Sequence, residues 1–181
     1  MDSAQQLVYL CAGRKKGMND RRKEGEEKRM KVHERMKELG IELPPAPAKG
    51  GLYASAKEFG SGLLYVSGCG PASDVPVRGK LGKEFSLEEG QYYARMAMLN
   101  VLSVVEKQAG SLDRVKNVVK ILCFVASEDD FYEQPAVANG ASQLLKDIFG
   151  EEVGVPSRSA IGVNVLPGNL PVEIEAIFEL E

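Results

Sequence analysis

The chain has 181 residues, of which 44% are hydrophobic, a length and composition that suit one domain with a sizeable core. Its 23 basic and 26 acidic side chains give a net charge of −3, which excludes a strong overall attraction to nucleic acid or to anionic membranes. The three cysteines lack CxxC spacing and there is one histidine, so the sequence predicts no metal site and no redox-active cysteine pair. Separated cysteines and the absence of a membrane-length apolar run favour a soluble, cytoplasmic protein.

The N-terminal part of the chain is strongly charged and is followed by a short helical pattern. Basic residues predominate over Arg14–Arg29, but without interleaved aromatic residues they favour a solvated extension over a nucleic-acid-binding arm. An apolar stripe at helical spacing, Val32, Met36 and Leu39, predicts a short helix over Glu26–Leu39, ended by Gly40. The stiff proline-rich stretch Leu43–Pro47 then divides the chain into residues 1–44 and a domain over residues 45–181.

The predicted domain begins with two strands and a glycine-containing break. The segments Leu52–Lys57 and Leu63–Ser67 are predicted to be strands joined by a turn, and a short third strand is expected around Val75–Val77. The run Ser67–Pro71 interrupts the second strand, and its glycines would let backbone amides approach a ligand.

The clearest helix opens at a capping box. Ser86 and Glu89 have the spacing at which each side chain binds the other residue's backbone amide, and Gly110 is placed to end the helix. The inward stripe is predicted to consist of Leu87, Ala94, Met98, Val101 and Val105, and the outward side chains to be Glu88, Arg95, Ser103 and Glu106.

A second helix is predicted after an apolar strand. The strand, Val118–Ala126, is apolar except for Lys120 and is expected to be central and buried on both faces. Asp129 and Asp130 suit the first turn of the helix, which is expected to bend at Pro135 and Gly140 and to run on to a glycine stop at residue 150.

The last two strands alternate with period two. They cover Ser159–Val165, with a predicted core set of Ile161, Val163 and Val165, and Val172–Leu180. The predicted core set of the second strand is Val172, Ile174, Ala176, Phe178 and Leu180. The opposite face would then carry small side chains beside charge, namely Arg158, Ala160, Gly162, Asn164 and Glu173. Such a face leaves room for a ligand or a partner subunit, although a solvated sheet face is the alternative.

The order of the elements is β-β-(β)-α-β-α-β-β, which predicts an α+β fold with two helices packed on one face of a mixed sheet. The opposite sheet face, which has an apolar component, has no helix from its own chain to cover it. We therefore expect a second subunit to cover it.

Three motifs occur in a distinctive order along the chain. They are Gly62–Gly68 (GLLYVSG), Val118–Val125, and a C-terminal run that joins Arg158-Ser159 and Leu166-Pro167 to Pro171–Ala176 (PVEIEA). Over residues 45–181 the sequence resembles the Rid (YjgF) family, the reactive-intermediate deaminases. The resemblance implies a chorismate-mutase-like fold and a homotrimer with ligand clefts between subunits. It also implies a hydrolase that needs no cofactor or metal and converts reactive 2-enamine or 2-imino acids to 2-oxo acids and ammonia.

The resemblance also implies the residues of the site. Arg158 would hold the substrate carboxylate, which suits its planar guanidinium fork, and Glu173 would help to place the water. The other cleft residues that it implies are Tyr53, Ser67, Gly68 and Asn139. The sequence departs from the family pattern at two positions: Ala160 stands where many members have cysteine, and Cys69 where glutamine is common. Ala160 and the altered second helix leave the substrate range open.

Three alternatives remain open at this stage. The same cleft could belong to a non-catalytic binder of small carboxylates or a stress-linked interaction protein. An endoribonuclease or translation inhibitor is less favoured, because the predicted cleft is acidic and no pair of histidines is available for acid–base chemistry. Arg158 and Glu173 could also form a structural ion pair.

Overall fold

The computed structural model describes residues 31–181, so the predicted extension and the start of the first predicted helix lie outside the described residues. Four helices are present there: α1 Val32–Glu38, α2 Leu87–Ala109, α3 Gln134–Val137 and α4 Asn139–Gly154. The strands are β1 Ala56–Phe59, β2 Leu63–Cys69, β3 Val115–Ala126, β4 Ser157–Val163 and β5 Val172–Leu180.

The five strands form one sheet in the order β1-β2-β5-β3-β4. All neighbouring pairs are antiparallel except β3 and β4, which are parallel. The long helices α2 and α4 contact each other and cover one face of the sheet. The α+β class, with a mixed sheet and two long helices on one face, is therefore confirmed. Within residues 31–181 no helix combines the length and the apolar character that crossing a bilayer requires.

The core lies between this sheet face and the helices. The predicted inward set of β5 is confirmed, since Val172, Ile174, Ala176, Phe178 and Leu180 are all buried. Phe178 and Met98 of α2 are fully buried on the two sides of this layer. Burying one such large apolar side chain contributes about 1.5–3 kcal/mol to folding.

Helix α2 begins and ends as the sequence predicts. The Ser86 hydroxyl accepts a hydrogen bond from the Glu89 amide, the Glu89 carboxylate accepts one from the Ser86 amide, and Gly110 ends the helix at φ 85°. The outward placement of Ser103 is wrong, because this residue is only 4% exposed. Its hydroxyl lies 2.7 Å from the carbonyl oxygen of Pro44, which shows that the proline-rich segment passes over α2 and covers it.

Helix α1 packs on the same core. Val32 and Met36 are buried, whereas Leu39, the third residue of the predicted stripe, is 38% exposed. Gly40 has φ 64° and, with Ile41, returns hydrogen bonds to the last turn, so the predicted glycine stop is confirmed. The domain boundary at residue 45 stays a prediction.

The first strand is shorter than predicted and the third predicted strand is absent. β1 begins at Ala56, and Leu52 is fully exposed. β1 pairs with β2 from Ala56 to Phe59, so it extends into residues that were predicted to form the turn. Residues 75–77 form no strand, and Val75 is 67% exposed.

The second helical region differs in its start and its break. Asp129 and Asp130 precede the helices in a turn, and Pro135 lies in the first turn of α3, where the absence of an amide proton does no harm. Gly140 does not break α4. A Cβ there would lie 1.9 Å from the Gln91 carbonyl oxygen, so this glycine lets α4 approach α2 closely. Gly150, at φ 81°, does interrupt the helix as predicted, although one more turn follows it.

Strand β4 presents the opposite face to the one predicted. Ile161 and Val165 are 45% and 62% exposed, whereas Ala160 packs against the core. A shift of one residue exchanges the two faces of a strand, and apolar alternation in an edge strand does not say which face is covered. Strand β3 is likewise buried on one face only, because Leu122 and Phe124 are partly exposed.

Candidate active site

A β-bulge shapes the first group of candidate site residues. Val66 pairs with Ala176 and Cys69 with Ile174, so two residues of β2, Ser67 and Gly68, lie opposite one residue of β5. Ser67 is held by one backbone and one side-chain hydrogen bond. Its amide donates to the Ser55 carbonyl at 2.9 Å, and its hydroxyl donates to the Ala54 carbonyl at 2.8 Å. The bulge therefore interrupts the ladder with β5 at residues 67 and 68.

The Glu173 carboxylate lies directly against Gly68. A Cβ at residue 68 would lie 2.1 Å from Glu173 Oε1, which only glycine avoids. Partial burial, and then the nearby charge of Glu175, raise the pKa of the Glu173 carboxyl above its usual range. Near neutral pH this group is therefore a stronger base than an exposed glutamate, as a residue that takes a proton from water requires.

A cleft of about 240 Å³ opens beside this carboxylate. Tyr53, Ser67, Gly68 and Glu173, all predicted site residues, line it. The Tyr53 ring is 46% exposed and its hydroxyl accepts a hydrogen bond from the Gly50 amide at 3.2 Å. That contact holds the aromatic side chain at the cleft mouth. The structure thus brings four of the six predicted residues together.

The other two predicted residues form a second group. Arg158 Nη1 donates hydrogen bonds to Asn139 Oδ1 at 2.9 Å and to Ser142 Oγ at 3.0 Å. Among the described residues no other hydrogen bond of this guanidinium occurs, which leaves Nε and Nη2 for a bidentate contact with a carboxylate. The sequence analysis missed Ser142. It could have been found from its spacing, because Ser142 follows Asn139 by three residues and residues three apart on a helix share a face.

The two groups lie on opposite faces of the sheet. Arg158 pairs with Ile121 and Glu173 pairs with Phe124, and these two partners are three residues apart on one strand. An odd separation in a strand places side chains on opposite faces. The expectation that Arg158 and Glu173 share a face is therefore wrong, and so is the alternative of an ion pair between them within one chain.

No metal-binding cluster accompanies either group. Within residues 31–181, histidine, cysteine, aspartate and glutamate side chains do not gather in threes at ligand distance. Cys69, in the cleft wall, has its thiol pKa raised to about 11, first by burial and then by the charge of Glu173. A thiol in that state behaves as a small apolar group.

Replacing Gly68 by alanine should reduce any activity of the cleft about tenfold, since the new methyl group must push the Glu173 carboxylate out of position. The clash involves the free end of a flexible side chain, so the melting temperature should change little. Thermal melting together with a rate measurement checks this. Gly51→Ala is the control for adding a methyl group to a glycine without a positive φ, because a Cβ there makes only ordinary van der Waals contacts at 3.7 Å. An unchanged rate for Gly68→Ala would show that the carboxylate position is unimportant.

The model of the YjgF/chorismate mutase-like family, whose description also includes the term endoribonuclease, matches residues 33–178. The chain belongs to the Rid (YjgF) family. The match begins at residue 33, so it includes most of α1.

Known relatives cover most of this Rid family chain. Protein TCP17 of Trypanosoma cruzi is 45% identical over 152 residues, which are 83% of this chain and 94% of that protein. A 2-iminobutanoate/2-iminopropanoate deaminase of Dermatophagoides farinae is 31% identical, with 78% and 95% covered. The crystal structure of Atu1372 from Agrobacterium tumefaciens, a protein of unknown function, has a TM-score of 0.75 at 37% identity and covers 83% of this chain and 92% of its own. The resemblance found in the sequence is confirmed at the level of the family.

Proposed function

We propose that this Rid family protein hydrolyses reactive 2-enamine and 2-imino acids to 2-oxo acids and ammonia. The observation that carries the proposal is the pair of complementary half-sites. One is a basic carboxylate beside a cleft, at Glu173, and the other is a guanidinium with free donors, at Arg158. The deaminase name of the Dermatophagoides relative supports the same reaction class.

The reaction needs an anchored carboxylate, a positioned water and a proton acceptor. Arg158 binds the substrate carboxylate with two parallel hydrogen bonds. Water attacks C2 of the protonated imine while its proton passes to the Glu173 carboxylate. The proton on Glu173 then passes to the carbinolamine nitrogen, and the C–N bond breaks with its electron pair leaving on nitrogen. The hydroxyl proton returns to Glu173 as the C=O bond forms, and its transfer to the departing ammonia leaves the 2-oxo acid and ammonium. An enamine enters the same path after a proton is added at C3.

The active unit is proposed to be a homotrimer, because one chain holds its two half-sites on opposite sheet faces. The sheet face without helices carries partly exposed apolar groups, among them Tyr65 at 42% and Ile161 at 45%. A subunit packed on this face would cover these groups and bring its Arg158 to the Glu173 cleft of its neighbour.

Mixing two inactive variants tests this arrangement. A trimer that combines Arg158→Ala and Glu173→Gln subunits contains some clefts that receive both native residues. With equal, random mixing before assembly, about a quarter of the clefts should be intact and activity should return to about that fraction. Each variant assembled alone is the control. Mixed assemblies as inactive as their parents, or a stable monomer in sedimentation at micromolar concentration, would contradict the shared site.

A coupled assay tests the reaction itself. A pyridoxal-phosphate-dependent dehydratase generates 2-aminoacrylate from serine, and the appearance of pyruvate is timed with and without this protein. We expect faster release of pyruvate with the protein present, and a return to the background rate with Glu173→Gln. No acceleration under conditions where the dehydratase itself is fully active would refute the proposal.

A non-catalytic binder of small carboxylates is the second candidate, and the surroundings of Arg158 favour it. Ala160 provides no reactive group there. Its neighbour across the ladder, Cys123, is a buried thiol whose pKa is raised to about 12 by burial. Such a protein would bind 2-oxobutanoate in a titration but would leave the rate in the coupled assay unchanged.

A further inference from the structure

The cleft beside Glu173 has an apolar inner end. Whereas its mouth is polar, at Tyr53 and Ser67, its inner wall includes Val104 and Leu170. Val104 belongs to the buried face of α2 and is 4% exposed. The cleft therefore reaches the hydrophobic core at Val104.

Leu170 forms one side of this inner end. It follows the short turn Pro167–Asn169 and lies over Gly70, where a Cβ would be 2.5 Å from the leucine Cδ1 atom. The glycine thus makes room for the leucine side chain beside the cleft. Cys69, which also lines the cleft, is 6% exposed, and its un-ionised thiol adds a further apolar surface.

The side chains of the inner end offer little to a polar group. Val104 and Leu170 have no side-chain donors or acceptors, and neither do Pro47 and Ala48, which line the cleft from an exposed segment. A hydroxyl or charge placed there would lose its bonds to water without replacement, whereas an alkyl group would be stabilised by leaving water. With about 240 Å³, the cleft has room for roughly eight water-sized groups, more than an imino acid with a methyl side chain fills.

We propose that this inner end is a side-chain subsite, and that the protein prefers 2-imino acids with branched aliphatic side chains over those with a methyl or ethyl group. The inference rests on the proposed function and specifies its substrate class. Leu170 is the residue that determines the preference, since it contacts the distal part of the side chain and not the reacting atoms.

The test compares two 2-oxo acids that differ only in the side chain, pyruvate and 4-methyl-2-oxopentanoate. Calorimetric titration of the full-length protein should show the branched acid binding at least about tenfold more tightly. An amino-acid oxidase that supplies the imines of alanine and leucine should give the same order in kcat/KM for hydrolysis.

Variants assign the preference to the subsite. Leu170→Ala should weaken binding of the branched acid about tenfold and that of pyruvate by no more than about twofold. Leu170→Met should restore most of the difference, because methionine fills a similar volume. Val165→Ala, an exposed apolar residue in the same connection, is the matched control and should change neither affinity. Ala48→Asn, on the exposed linker, gives a second variant that does not threaten the core and adds no charge that would repel both acids, so it should also weaken the branched acid selectively.

The outcomes separate the subsite from the reaction. Equal affinities for the two acids, or a Leu170→Ala variant that weakens both alike, would overturn the subsite while hydrolysis of the imines continued to support the proposed function. If no imine is hydrolysed but the branched acid still binds more tightly, the catalytic proposal fails. The subsite is then supported as part of a protein that binds carboxylates without catalysis. If neither acid binds, both are overturned.

Discussion

Replacing Arg158 by alanine is expected to weaken binding of a 2-oxo acid such as 2-oxobutanoate by about 10²-fold or more, because a charge-assisted bidentate contact is lost. The melting temperature should change little. The guanidinium is bound to the neutral groups of Asn139 and Ser142, which are near the surface and can turn to water. Titration and thermal melting of the same preparation measure the two effects.

Arg158→Lys distinguishes the fork from the charge. Lysine keeps the positive charge but is a point donor, so it should recover only a small part of the affinity. Arg95→Ala, on helix α2 away from the cleft lining, is the control for loss of an arginine. Retained binding in Arg158→Ala with a collapsed melting temperature would show a structural arginine and rule out the clamp.

Replacing Glu173 by glutamine is expected to lower the rate of imine hydrolysis by about 10²-fold or more, since the amide cannot take a proton from water. Binding of a 2-oxo acid should persist, because the Arg158 half-site is unchanged. Stopped reactions at saturating imine and titration with 2-oxobutanoate check the two parts. A fully active Glu173→Gln variant would remove this residue from the mechanism.

The stability of Glu173→Gln follows from the direction of the pKa shift. The folded state holds the Glu173 pKa above its usual range, so the fold disfavours the ionised form. That penalty is present at neutral pH and disappears as the pH falls through the folded pKa. Glutamine carries no charge, so the melting temperature at neutral pH should be equal to or higher than that of the native protein. A clear loss of stability would indicate a structural carboxylate.

The same shift sets the acid limb of the rate profile. The carboxylate form is the active one, so activity should fall as the pH drops through the raised pKa, at a higher pH than for an exposed glutamate of pKa about 4.3. Glu175→Gln removes one cause of the shift, and the limb should then move to lower pH. A limb that stays in place would show that another group controls it.

Local features of the fold were predictable because their causes are local. The capping box at Ser86 and the glycine stops at Gly40 and Gly110 depend on side chains within a few residues, and the structure has all of them. The faces of β5 were predictable because its buried set is uniformly apolar while glutamates dominate the other face. In such segments, composition and spacing agree with the tertiary structure.

Features that depend on a distant neighbour were not predictable. Ser103 looked exposed because nothing in α2 shows that the Pro44 segment crosses it. Gly140 was predicted to break a helix. A glycine is needed there because the backbone of Gln91, in another helix, leaves no room for a side chain. Strand β4 carries apolar residues on a face that the helices do not cover. The alternation of apolar residues therefore predicted the wrong face of this strand to be buried.

The sequence by itself determined the α+β class through its apolar periodicity. Its motifs determined the family, and the six candidate residues were implied by the resemblance to that family. Only the tertiary structure decided how those residues are grouped. The register of β3 places Arg158 with Asn139 on one sheet face, and the bulge in β2 places Glu173 against Gly68 on the other. Strand pairing is a long-range property, and a one-residue change in register exchanges the two faces.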